Sequence, residues 1–225
     1  MAAFQRAVEM GATFIETDLH LTRDARVVAI HDSTLDRTTN GKGLVDVLSL
    51  QEIRALDAGS WFGDRSSESF AGERIPSLDE ILKFAKERDV IFYLEIKSDA
   101  AWGVEHAVVA TLRDTGEAAR VVILSFEPAL LESVNRLDRT LMTGYLCEIP
   151  SNDLVERTVR SGARQLCPRG DLVTPALVTK AHHAGLQVVA WTVNEPEQIH
   201  RLIAAGVDGI MSDYPDRLVA ALKKS

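Results

Sequence analysis

Apolar residues recur along this chain in two alternating patterns, stripes at three- and four-residue spacing and short continuous runs. Leu78, Ile81, Leu82 and Ala85 fall at i, i+3, i+4 and i+7 behind Ser77, which paints one apolar face on a helix. Runs such as Val121-Val122-Ile123-Leu124 and Val188-Val189-Ala190 suit short strands buried on both faces. Five times an amphipathic stretch ends in glycine and such a run follows within a few residues, at Gly11, Gly116, Gly162, Gly185 and Gly206. Each reads as a helix-to-strand junction. Helix starts are written too. Ser49-Leu50-Gln51-Glu52, Ser77-Leu78-Asp79-Glu80 and Asn194-Glu195-Pro196-Glu197 have the form of caps, and Thr174-Pro175 places Pro at a first helical position.

These signals predict strands over residues 13–18, 90–95, 121–125, 141–145, 165–167, 187–192 and 208–212, with helices between most of them. Alternation of this kind makes a parallel α/β protein, either an open doubly wound sheet or a closed barrel. Five different predicted strands carry polar residues at their carboxyl ends: Glu16 and Asp18, Glu95 and Lys97, Ser125, Trp191 and Asn194, and Asp213. Many strand ends meet at one point only when a sheet closes, so the pattern favours a (β/α)8-type barrel. No Gly-x-Gly-x-x-Gly follows a strand, which argues against dinucleotide binding.

One stretch breaks the alternation. A turn at residues 23–25 would fold Val27-Val28-Ala29-Ile30-His31 back antiparallel onto the strand that carries Glu16 and Asp18, and bring His31 roughly across from Asp18. Residues 32–76, rich in Thr, Gly, Ser and Asp, then form a long excursion with one helix near 50–56. Loops of that size in a compact domain are usually functional, and this one is expected to be an insertion acting as a lid over the barrel mouth, within a single domain spanning residues 1–225.

Composition narrows the partners. With 225 residues, 46% hydrophobic and 26% charged, the chain is a globular domain rather than a disordered one. A net charge of −8 argues against a broad nucleic-acid footprint, although a local cation can still hold an anionic small molecule. Cys147 and Cys167 are too few for a disulfide framework and are expected to be small buried residues. No apolar run approaches the ~20 residues of a membrane-spanning helix, and Met-Ala-Ala-Phe-Gln-Arg lacks the features of a secretory signal. The expectation is a cytoplasmic protein with no stable membrane insertion.

The chemistry concentrates in Glu16-Thr17-Asp18 and His31-Asp32. Two acidic oxygen donors beside an imidazole are the parts needed to hold a hard divalent cation and to move a proton. Other polar residues have plainer readings. Lys97 pairs with Glu95 or Asp99 as readily as with a substrate, and Trp191 suits mouth packing as well as a ligand floor. His20, His182 and His183 read as framework or surface residues rather than ligands.

With these residues in place, the chain resembles the glycerophosphodiester phosphodiesterase family over essentially its whole length. The resemblance rests on Glu16-Thr17-Asp18, the block from His31 to Gly41, Ile75-Pro76-Ser77-Leu78, Leu94-Glu95-Ile96-Lys97, Ala190-Trp191-Thr192-Val193-Asn194 and Ser212-Asp213-Tyr214-Pro215, in that order. It implies a phosphodiesterase-type β/α barrel with an insertion after its second strand, hydrolysing glycerophosphodiesters to sn-glycerol 3-phosphate and an alcohol in lipid metabolism. On the same grounds Glu16, Asp18 and Glu95 match the metal-binding carboxylates, for Mg²⁺ or Ca²⁺. His31 matches one of a pair of catalytic histidines. Lys97 is assigned to a phosphoryl oxygen and Trp191 to the substrate. The family pattern starts with a strand ending in His-Arg, whereas this sequence begins within the helix predicted at Ala2 to Met10. Relative to that pattern the first barrel strand is missing, which predicts weak activity and pairing with a second copy. Two rival readings are a non-catalytic phosphodiester-binding barrel and a phospholipase D-like enzyme releasing a cyclic phosphate. A metal-dependent amidohydrolase barrel fits less well, for want of a paired-histidine ligand motif on a strand.

Overall fold

The computed structural model describes residues 1–65, 69–97 and 103–223. The chain divides into two compact units, one of residues 1–8 and 13–121, the other of residues 9–12 and those from 122 onward.

In the first unit, helix α1 (Ala2–Glu9) precedes strand β1 (Phe14–Leu21) and strand β2 (Val27–Ala29). Helix α2 (Leu50–Arg54), helix α3 (Leu78–Arg88), strand β3 (Ile91–Ile96) and helix α4 (Val104–Thr115) follow. Strand β1 is central: it pairs in parallel with β3, placing Asp18 opposite Glu95, and antiparallel with β2. The stripe expected on α3 is its buried face, with Leu78, Ile81, Leu82 and Ala85 all at most 1% exposed. Ser49 and Ser77 each close a capping box, with Glu52 and Glu80 respectively. Such caps are worth about 0.5–2 kcal/mol each.

The antiparallel hairpin forms as expected, but its register differs by one residue. Leu19 faces Ala29 and the Ile30 N–H donates to the Asp18 carbonyl at 3.1 Å, so Ile30, not His31, lies across from Asp18. The cause is the turn. Thr22 N–H donates to Arg26 O, and Ala25 takes a left-handed φ of 56°, so the reversal centres on Asp24. Regular pairing ends at Ala29, and His31 stands where the chain leaves the strand.

The excursion after β2 has its own apolar cluster, in which Leu35, Val45, Ile53 and Ile75 pack with Val28 and Ile30. Polar staples complete it. The Asp57 carboxylate accepts N–H bonds from Gly59, Ser60 and Gly72 and a hydroxyl bond from Ser60. At Gly59 a Cβ would lie 1.8 Å from the Phe70 carbonyl oxygen, so only glycine permits this crossing.

The second unit repeats one device. Strands β4 (Val121–Ser125), β5 (Met142–Cys147), β6 (Gln165–Pro168), β7 (Gln187–Ala190) and β8 (Gly209–Ile210) pair in parallel, each with the next. Helices α5 (Pro128–Leu137), α6 (Leu154–Arg160), α7 (Pro175–His183) and α8 (Pro196–Ala205) alternate with them, and α9 (Pro215–Leu222) follows β8. The core draws on both kinds of element, including Leu131, Leu166, Val188, Ile199 and Leu202, each fully buried. Glycine ends α8 as expected, with Gly206 at φ 83°. Thr174 caps α7 by accepting from Leu177 N–H. The cap expected at Asn194 is absent: Glu195 occupies the N-cap position without a side-chain bond, and Asn194 instead bonds Asp213 and Ser212.

Candidate active site

Residues two apart on a strand share a face, so β1 presents Glu16 and Asp18 together. Its pairing with β3 brings Glu95 alongside Asp18. One oxygen from each of the three carboxylates lies within 4.8 Å of the others. Glu16 is exposed, Asp18 half-buried and Glu95 buried. Lys97, two residues beyond Glu95, reaches back with Nζ 2.8 Å from Asp18 Oδ1 and 3.1 Å from Glu95 Oε1. Asp99, the other partner considered for Lys97, lies outside the described residues.

The electrostatics follow from that crowding. Burial pushes the Glu95 carboxyl above the ordinary carboxylate range; Lys97 opposes the rise and Asp18 adds to it. Burial works against the charge of Lys97 as well, yet its bonds to Asp18 and Glu95 outweigh it and hold the ammonium above its ordinary value. Three carboxylates against one ammonium leave an excess of negative charge at a partly desolvated point. An all-oxygen donor set of this kind fits a hard cation such as Mg²⁺ or Ca²⁺.

His31 stands at the edge of this cluster, with its side chain 64% exposed and Nδ1 2.7 Å from Asp32 Oδ1. Its charge is felt at Glu95. Arg37 also enters the site. Its Nε donates to Asp32 Oδ2 at 2.7 Å and its Nη2 to Asp32 Oδ1 at 2.8 Å, and this grip holds the Asp32 carboxyl far below the usual range. The sequence marks Asp32 only as the neighbour of His31 and gives Arg37 no role of its own. The available signal was their place in the block from His31 to Gly41, since a five-residue separation in a loop has no period to betray it.

Three other histidines make contacts of their own. His20 is buried at 2% exposure, with Nε2 3.3 Å from the His31 carbonyl oxygen. His182 bonds Asp208, and His183 bonds the Thr179 carbonyl. Trp191 belongs to the second unit, where its Nε1–H donates to Cys167 O at 2.7 Å and its ring meets Phe126 edge-on at 5.3 Å. Cys147 and Cys167 are free, buried thiols, and burial pushes Cys147 up to about 12. Among the described residues no helix is long and apolar enough to cross a membrane.

Comparison with known proteins gives the family. The profile of the glycerophosphoryl diester phosphodiesterase family fits residues 1–217. A glycerophosphodiester phosphodiesterase of Caldanaerobacter subterraneus subsp. tengcongensis is 38% identical over 226 residues, covering 100% of this chain and 91% of that protein. Among solved structures, the glycerophosphodiester phosphodiesterase of Agrobacterium tumefaciens superposes with a TM-score of 0.83 at 27% identity, covering 97% of this chain and 91% of its own. An Oleispira antarctica phosphodiesterase in complex with the product sn-glycerol-3-phosphate gives a TM-score of 0.84 at 26% identity, covering 98% and 90%. The chain belongs to the glycerophosphoryl diester phosphodiesterase family, a family of enzymes with the β/α-barrel type of fold.

Proposed function

We propose that this chain hydrolyses glycerophosphodiesters to sn-glycerol 3-phosphate and an alcohol, in glycerophospholipid breakdown, with a divalent cation held by Glu16, Asp18 and Glu95. The observation that carries the reading is the convergence of those three carboxylates within 4.8 Å, in a family whose solved members include one holding sn-glycerol-3-phosphate. When bound, Mg²⁺ or Ca²⁺ supplies positive charge to a phosphoryl oxygen. Lys97 places a second positive charge in the same site, where it gains value as negative charge builds on the phosphate. His31 exchanges a proton with the attacking or leaving oxygen through the ring nitrogen not bonded to Asp32. The excursion at residues 32–76 serves as a lid, and Trp191 is assigned to the substrate on the resemblance alone. Two free thiols support a reducing, cytoplasmic setting.

The test is release of glycerol 3-phosphate from glycerophosphocholine and glycerophosphoethanolamine with Mg²⁺, Ca²⁺ or EDTA, beside His31→Ala. Cation binding is followed separately by calorimetry. Cation-dependent release lost in His31→Ala supports the proposal. Cation and diester binding without turnover favours a binding barrel, and a cyclic phosphate in the phosphorus NMR spectrum favours the phospholipase D-like reaction. Either result overturns hydrolysis to glycerol 3-phosphate.

A further inference from the structure

We propose that Arg37 is a positioning residue for His31: by gripping both oxygens of Asp32 it fixes the one to which His31 Nδ1–H donates, and so reserves Nε2 for the substrate. This rests on the reading of His31 as the proton-exchanging group, and adds to it the device that keeps the imidazole in one tautomer and one orientation.

The need for such a device follows from exposure. The His31 side chain is 64% exposed and that of Asp32 27%. A pair of neighbouring side chains at a surface is too weak to hold an imidazole steady. A third group changes the geometry. The Arg37 bonds to both oxygens stop the carboxylate from turning about its own axis. Oδ1 then accepts from Arg37 Nη2 and His31 Nδ1 together, at 2.8 and 2.7 Å.

Arg37 can do this because its backbone is rooted. Leu35 is fully buried, and its carbonyl accepts from both the N–H and the hydroxyl of Thr39. Asp36, between Leu35 and Arg37, accepts from Gly43 N–H. The loop carrying Arg37 is therefore pinned on both sides of it.

Charge adds to the grip: the Arg37 guanidinium beside Asp32 holds that carboxyl in its ionised, accepting form. The other charged groups that act here are Glu95, which interacts with His31, and Asp18, which interacts with Arg37; both are paired with Lys97.

The experiment is long-range proton–nitrogen NMR of the His31 ring across pH, on the whole chain in EDTA, for wild type, Arg37→Gln, Arg37→Lys and Asp32→Asn. In wild type the neutral ring is expected as the Nδ1–H tautomer. Arg37→Gln should lower the Nδ1–H fraction. Asp32→Asn should lose the Nδ1–H preference. Arg37→Lys should not restore the tautomer, because one ammonium keeps the charge without the two-bond grip. An unchanged tautomer in Arg37→Gln overturns the proposal, as does its full rescue by Lys. If the Gln variant does not fold, Arg37→Lys and Asp32→Asn carry the test alone: retained tautomer preference in both overturns it. None of these readouts needs turnover, so failure of the phosphodiesterase assay and failure of this proposal are separate results. In an active enzyme, Arg37→Gln should lower kcat with KM little changed.

Discussion

The two units are built by opposite strategies. From β4 onward, five parallel strands repeat one plan of short apolar strand, amphipathic helix and turn over a shared hydrophobic cluster. Between Phe14 and Lys97 the plan is broken twice, by an antiparallel hairpin and by an excursion with its own apolar cluster, and there the carboxylates, the imidazole and their cationic partners collect. Regularity provides stability with few demands on individual residues. Collecting charged groups at one buried point has an energetic cost, visible in the upward push on Glu95.

The sharpest way to break that contrast is to remove the charge the site is built around. Saturating Ca²⁺ or Mg²⁺ is expected to raise the melting temperature of the wild type, by the equivalent of about 2.7 kcal/mol at a hundredfold excess over Kd. Glu95→Gln should abolish most of that rise, and EDTA should abolish turnover. A Glu95→Gln protein with an unaltered cation response would show that the carboxylates are not ligands. Next in size, His31→Ala should lower kcat by ~10²- to 10⁴-fold while leaving the cation-induced thermal shift in place. A loss of that shift instead would make His31 part of the cation site.

Leu202→Ala, in the regular unit, should destabilise the fold by about 2–5 kcal/mol, since Leu202 is fully buried. Cation binding at the carboxylates should survive at temperatures where the protein remains folded, as calorimetry would show. Lys97→Met should tighten cation binding several-fold, because Lys97 occupies oxygens of Asp18 and Glu95, while turnover falls. Weaker cation binding would mean that Lys97 organises the carboxylates rather than competing for them.

The smallest effect concerns the excursion. Bonds from Ser60, Gly72 and Gly59 hold the Asp57 carboxyl far below its ordinary value of 3.8. A carboxyl depressed on folding adds stability above its unfolded pKa and loses it as pH falls through the folded one. Wild type should therefore melt slightly higher than Asp57→Asn near neutrality, and the gap should close as pH is lowered below 3.8. Melting curves at a series of pH values would show this, and a gap that widens in acid would contradict it.

Legibility in the sequence follows the same contrast. The strands of the second unit can be read from apolar runs bounded by glycine, and the start of α7 from Thr174-Pro175, because each signal is local. The carboxylates are legible as motif blocks at predicted strand ends, while the register that sets Asp18 opposite Glu95 is seen only in the structure. Three further features escape. The hairpin register depends on the conformation of one alanine, Ala25. The excursion's cluster joins Leu35, Val45, Ile53 and Ile75, spacings that match neither a helix nor a strand. The grip of Arg37 on Asp32 is made by side chains across a loop, where chain geometry rather than pattern decides who meets whom.

The reversal at residues 22–26 has a further consequence for how such a site drifts. Because pairing between β1 and β2 counts residues, the turn works as a ruler whose length, not whose lettering, is held constant. Adding one residue would turn every β2 side chain to the opposite face. Adding two would restore the faces but slide His31 about 7 Å along the strand. A substitution that keeps the left-handed turn at Ala25 leaves that ruler in place, whereas a change of length moves every residue that follows it.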